Sequence, residues 1–153
     1  MKTEITDRMI DLTGEKTPMP DFDARQISPL VLAWIGDGVY EIEVRNMLTR
    51  LAGIPGRPVR MLHREASSLV NAGTQSLMMA VYEEKNLLTE EELQVYHRGR
   101  NAKSDTHAKN ASIQDYRRAT GFEALIGYLY LTGNSSRITA LIRAGFEGLK
   151  TDE

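Results

Sequence analysis

At 153 residues the chain is long enough for one domain with a sizeable hydrophobic core. It has no cysteine, which excludes disulfides and thiolate metal sites, and its net charge of −2 argues against a general binder of nucleic acid. The opening M-K-T-E-I-T-D-R-M-I is too charged for a secretory signal, and no apolar run approaches the roughly 20 residues of a membrane span, so a cytoplasmic protein with no membrane partner is expected.

Residues 1–25 are polar and include T-P-M-P-D-F-D. They are read as an extended N-terminal arm, with the folded domain over 26–150. Ser28-Pro29 predicts an N-cap followed by proline at the first helical position, and the helix it opens should stop near Gly53. The turn I-P-G-R-P follows. A helix is predicted from Val59 to Asn71, with Met61, Leu62, Ala66, Leu69 and Val70 as its apolar stripe. Ala72-Gly73 breaks or kinks it before a helix from Thr74 to Glu84 through Leu77, Met78, Val81 and Tyr82. Thr89-x-x-Glu92 is a capping box for a helix ending near Asn101. After a polar loop, a helix from Ser112 to Gly133 buries Phe122, Leu125, Ile126, Leu129 and Tyr130. A last one, Ser136 to Leu149, carries Ile138, Leu141, Ile142 and Phe146. No alternating β pattern occurs, so the class is all-α, in six or seven helices.

Within the first long helix the run L-A-W-I-G-D-G-V-Y-E, Leu32 to Glu41, sets Asp37 between two glycines. Trp34, Ile35, Val39 and Ile42 suggest that this helix packs on its neighbours, where an ionised carboxylate is costly without a partner. Glycine costs a helix up to ~1 kcal/mol relative to alanine and is used where a backbone or ligand must approach closely. A second such spot is G-F-E-A-L-I-G-Y-L-Y-L, with Glu123 followed one turn later by Gly127. Two such helices crossing would bring both carboxylates to one metal ion. Oxygen ligands without cysteine favour Mg²⁺, with Mn²⁺ as the alternative. The residues alone leave equally open a buried carboxylate paired with arginine or capped by a hydroxyl. Glu41 and Glu43 lie close in sequence and read first as solvated helix charges.

The segment His97 to Arg118 holds six basic and two acidic side chains, a local +4 that leaves −6 for the rest of the chain. Its loop, Y-H-R-G-R-N-A-K-S-D-T-H-A-K-N, mixes cations with the small polar groups that meet phosphate and ribose oxygens. Composition alone also fits an ordinary solvated basic loop. A weaker patch, L-H-R-E-A-S-S with His63 and Arg64, suits a backbone phosphate or the polar face of a helix. Trp34 reads as a core or interface anchor. The three histidines, His63, His97 and His107, show no i, i+4 pairing, which disfavours zinc.

These stretches resemble the ribonuclease III catalytic domain, and in particular the short bacterial form of that family, Mini-ribonuclease III. L-A-W-I-G-D-G-V-Y-E resembles the signature helix. R-G-R-N-A-K-S-D-T-H-A-K-N is similar to the basic loop of the short form, and Y-R-R-A-T-G-F-E-A-L-I-G-Y-L-Y-L to its second metal-bearing helix. The likeness runs from about residue 25 to 145. It implies a homodimeric all-α fold and a Mg²⁺-dependent endonuclease on double-stranded RNA, leaving 5′-phosphate and 3′-hydroxyl ends. The short form is associated with maturation of the large-subunit (23S) ribosomal RNA precursor, with large-subunit ribosomal proteins as candidate partners. It lacks the separate double-stranded-RNA-binding domain. By this likeness Asp37 and Glu123 are the metal-binding catalytic carboxylates, and Arg98, Arg100, Asn101, Lys103 and Lys109 belong to the RNA-binding loop. Two family carboxylates are missing: Ala33 stands where a glutamate is usual and Thr120 where an aspartate is usual. The metal count is thereby left open between one and two, with one metal held by Asp37 and Glu123 as the safer expectation. Ala108 replaces a proline common in the short form. Two readings from other classes remain: a non-catalytic binder of structured RNA or assembling ribosomes, and a small-molecule phosphohydrolase. The absence of a His-Asp metal pair disfavours the latter.

Overall fold

The computed structural model describes residues 2–51, 56–103 and 112–151. Among the described residues the chain forms eight helices and no strand. They are α1 (Lys2–Leu12), α2 (Asp21–Arg25), α3 (Pro29–Leu51), α4 (Val59–Val70), α5 (Ala72–Glu84), α6 (Glu90–Asn101), α7 (Ile113–Leu131) and α8 (Ser135–Thr151). The all-α expectation holds. The helix stop expected at Gly53 lies outside the described residues.

The two additional helices fall where an extended arm was expected. In α1, Ile5, Met9 and Leu12 recur at helical spacing within a polar composition that hides the period, and none of its residues is buried. The segment after it is tied to the body. The Met19 N–H donates to the Leu131 carbonyl at 2.7 Å. Ala24 of α2 is fully buried.

Local signals set the other boundaries. Asn71 has extended backbone, ends α4 and caps α5 by accepting from the Thr74 N–H. The break therefore falls one residue earlier than Ala72-Gly73. Ser112 caps α7 by accepting from the Asp115 N–H. Thr89 and Glu92 close the expected box: Oγ1 of Thr89 accepts from the Glu92 N–H, and the Glu92 carboxylate accepts from the Thr89 N–H.

Glu92 does more than cap. Its two carboxylate oxygens accept from Nε and Nη2 of Arg137 in α8, both at 2.8 Å, while Nη2 also reaches the Leu87 carbonyl. Burial would raise the Glu92 pKa, but the Arg137 hydrogen bonds and charge and the Thr89 contacts outweigh it and hold the group below 4.5. Glu92→Gln should cost about 2–3 kcal/mol at neutral pH, as the bidentate ion pair with Arg137 is lost while glutamine can still accept from the Thr89 N–H. A depressed carboxyl pKa contributes stability above the unfolded value of 4.5, which is lost as pH falls through the lower folded value. The gap between wild-type and variant melting temperatures should therefore close in acid, and a gap that persists there would contradict this account.

Helix α7 is the centre of the molecule. It packs against α3, α5, α6 and α8. From Ala119 to Leu129 every residue is buried except Glu123, which is partly exposed. A helix that is apolar on all sides belongs in an interior. Tyr40, Tyr82 and Phe122 meet there, with Tyr40 edge-on to Phe122 at 5.0 Å between centroids. Their hydroxyls are satisfied: Tyr40 donates to the Leu69 carbonyl and Tyr82 to the Leu141 carbonyl.

Several expected core positions are outside. The buried face of α3 is Leu32, Ala33, Gly36, Tyr40, Val44 and Leu48. Trp34 is 79% exposed and Ile42 61% exposed. Met61, Leu77 and Tyr130 are exposed too. Trp34, Ile42, Leu77 and Tyr130 lie on helices rich in apolar residues, and the α7-facing side of α3 is chosen by small residues at the contact rather than by the largest apolar groups.

Candidate carboxylate site

Glycine decides how close α3 and α7 come. A Cβ on Gly36 would stand 1.7 Å from the Glu123 carbonyl oxygen, and one on Gly127 would stand 2.0 Å from the Leu32 carbonyl oxygen. Real Cβ atoms do not approach backbone so closely, so only glycine permits this crossing. Gly38, by contrast, has nothing within 4 Å of its Cβ position. Of the two glycines beside Asp37, one serves the crossing and the other faces open space. A second crossing lies on the other side of Glu123, where Gly99 of α6 meets Gly121 of α7.

The crossing sets Asp37 and Glu123 side by side. Their burial differs from expectation. Asp37 is exposed and opens into a groove of about 620 Å³ lined also by Trp34, Ile35, Val39, Ile42, Glu43 and Tyr130. Glu123 carries the desolvation. Burial pushes its carboxyl up, the hydrogen bond and charge of Asp37 push it further, and the Gln75 amide opposes them, giving a pKa of about 9. Glu123 therefore holds its proton at neutral pH. A divalent cation can claim such a carboxyl beside Asp37 by displacing that proton.

Gln75 of α5 is the polar group that sequence reasoning missed. It is 2% exposed and buried among apolar side chains. Its amide favours ionised Glu123, yet Nε2 has no hydrogen-bond partner. A signal existed: Gln75, Met78, Met79 and Tyr82 recur at i, i+3, i+4 and i+7, a buried stripe with one polar member. The ligand set is two carboxylates from two helices, with the Gln75 amide of a third beside Glu123. Such a set suits a hard cation that keeps several waters, as Mg²⁺ does. No group of three or more His, Cys, Asp or Glu residues capable of holding a metal occurs among the described residues. Glu41 is engaged by Arg45 at 2.7 Å.

The basic residues lie around the end of α6. Arg98 donates through Nη1 to the Arg25 carbonyl at 2.7 Å and so fastens the C-terminus of α2. The Arg100 guanidinium stands 5.7 Å from the Tyr96 ring centroid and donates to Asn101. Lys103 is exposed. Arg100, Asn101, Arg117 and Arg118 line a cleft of about 650 Å³, with Arg118 paired to Glu83 at 2.7 Å. Arg117 and Arg118 contributed to the charge count but were not singled out for contact. His63 and Arg64 are exposed on α4, separate in sequence from this cleft. Lys109 and His107 lie outside the described residues.

Residues 30–134, which contain both carboxylates, match the Ribonuclease III domain. The chain belongs to the ribonuclease III family. That is a family of endoribonucleases, and the pair at the Gly36–Gly127 crossing lies within the matched domain. Among its relatives is the Mini-ribonuclease 3 of Clostridium tetani, 47% identical over 79% of this chain and 78% of that protein. The Mini-ribonuclease 3 of Enterococcus faecalis is 47% identical over 78% of this chain and 89% of its own. A crystal structure of a Fusobacterium nucleatum protein superposes with a TM-score of 0.69 at 31% identity, covering 82% of this chain and 97% of that one. No described helix is long and apolar enough to cross a membrane.

Proposed function

We propose that this ribonuclease III family member cuts double-stranded RNA with a divalent cation held by Asp37 and Glu123. The observation that carries this reading is the convergence of the two carboxylates at a crossing that only glycine permits. When bound, the cation, Mg²⁺ or Mn²⁺, supplies charge stabilisation at the scissile phosphate and activates the attacking water. The chain's own part is to present the ligands. Asp37 presents its carboxylate at the exposed side of α3. Glu123 gives up its proton on loading, so binding is weaker in acid. Arg100, Asn101 and Lys103, together with Lys109, meet the duplex backbone, and His63 and Arg64 extend that contact. We take 26–150 as the catalytic unit, acting in the cytoplasm. By its likeness to the short form, the substrate is the large-subunit ribosomal RNA precursor, presented with large-subunit ribosomal proteins.

The test is cleavage of a precursor stem by wild type and Asp37→Asn, with Mg²⁺ and with chelator. Cutting of both strands by wild type with Mg²⁺ alone is expected. Binding without cutting in every condition would instead favour a non-catalytic RNA-binding protein.

A homodimer completes this reading. Val31, Trp34, Ile42 and Tyr130 leave an apolar surface exposed beside Asp37, and contiguous exposed apolar surface marks an interface. A two-fold pairing through α3 would set two carboxylate pairs on one duplex. Trp34→Glu should shift the protein to monomer in sedimentation and lower double-strand cutting at least ~10-fold, because truncating or charging a buried aromatic anchor commonly costs 2 kcal/mol or more of association. A Trp34→Glu dimer as tight as wild type would overturn the placement.

A further inference from the structure

We propose that Gln75 is a positioning residue for the carboxylate pair, its buried side-chain amide orienting the Glu123 carboxylate for cation binding. The inference rests on the cation reading of Asp37 and Glu123 given above.

The Asn71 cap fixes where α5 begins, and α5 packs along α7. This puts Gln75 on the buried stripe with Met78 and Tyr82, and its Nε2 ends without an acceptor. Leaving a buried N–H unpaired is unfavourable, and an apolar side chain of the same shape would suit a purely structural position better. The group that Gln75 faces is the Glu123 carboxyl, whose oxygens can accept from an N–H donor. The unpaired amide is thus a donor beside the carboxyl that the cation reading makes a ligand. Carboxylates that ligate metals are themselves held by hydrogen bonds, and removing such a partner typically costs 10–100-fold in metal affinity.

The test uses full-length protein without RNA. Mn²⁺ affinity is read by electron paramagnetic resonance for wild type, Gln75→Met and Asp37→Asn. Gln75→Met should bind Mn²⁺ about tenfold more weakly than wild type, while its melting temperature without cation equals or exceeds that of wild type. Affinity equal to wild type in Gln75→Met would overturn the proposal and leave the cation reading intact. A wild type that binds no Mn²⁺ would overturn both. A second measurement needs no variant: in ¹⁵N-labelled wild type, the Gln75 side-chain amide resonances should shift as Mg²⁺ is added. Resonances that stay in place while Mg²⁺ binds would equally overturn the role given to Gln75.

Discussion

Glu123→Gln is expected to abolish cleavage and at the same time make the protein more stable at alkaline pH. Folded Glu123 keeps its proton to about pH 9, whereas the unfolded chain releases it near 4.5. Between those values the unfolded state binds fewer protons, so this group lowers stability as pH rises. Glutamine has nearly the same shape and carries no such penalty. The variant should match wild type near pH 4.5 and gain on it towards pH 9. Allowing for partial exposure of the site, the gain at pH 8 is about 1–2 kcal/mol, or roughly 2–8 °C in Tm. Added Mg²⁺ should raise the wild-type melting temperature more at pH 8 than at pH 6 and leave the variant where it was, because a ligand stabilises only the state it binds. Melting curves across pH, with and without Mg²⁺, test both halves. A variant that melts below wild type at pH 8, or one that still cuts, would refute the assignment.

The second large effect separates two glycines that look equivalent in the sequence. Gly36→Ala places a methyl group against the Glu123 carbonyl and the Gly127 nitrogen, at 1.7 and 2.8 Å. Backbone lies on both sides and neither can turn aside, so α3 and α7 must part. The expected loss is about 3 kcal/mol or more, with activity lost alongside. Gly38→Ala meets nothing within 4 Å and should gain up to ~1 kcal/mol from helix propensity within one protomer. Denaturant titration of the two variants gives the comparison. Equal losses would show that the crossing is not where the structure puts it.

Much of the fold was legible because its signals are local. The Thr89–Glu92 box needs only a few residues of sequence and forms as read, and the helix expected from Ser112 begins there, with Ser112 as its cap. The carboxylate pair was legible as two acids on apolar, glycine-bearing helices. Its asymmetry was not, because burial depends on which side of α3 meets α7. Apolar residues surround α3, so period alone cannot choose between the Trp34 and Tyr40 faces. Gln75 was hidden by its neighbours, since one polar residue in an apolar stripe looks like the edge of the stripe. The basic segment was visible as charge, but charge does not tell an arginine that meets solvent from one that fastens the chain. Arg98 holds the Arg25 carbonyl and Arg118 holds Glu83. Helix α1 escaped notice because its polar composition hides the period, and none of its residues is buried.

The contact of Gly36 with the Glu123 backbone ties the chemistry to the scaffold in an unusual way. In many enzymes a flexible loop carries a reactive group, and heat silences the enzyme before it melts. Here Asp37 and Glu123 ride on two helices that touch main chain to main chain through the centre of the protein. They cannot drift apart while those helices remain together. Inactivation by heat or urea should then follow the global transition, and residual cleavage becomes a direct count of molecules still folded. The same coupling confines adaptation to new RNA substrates to the periphery, because Glu123 lies on the central helix and its backbone is the contact with α3.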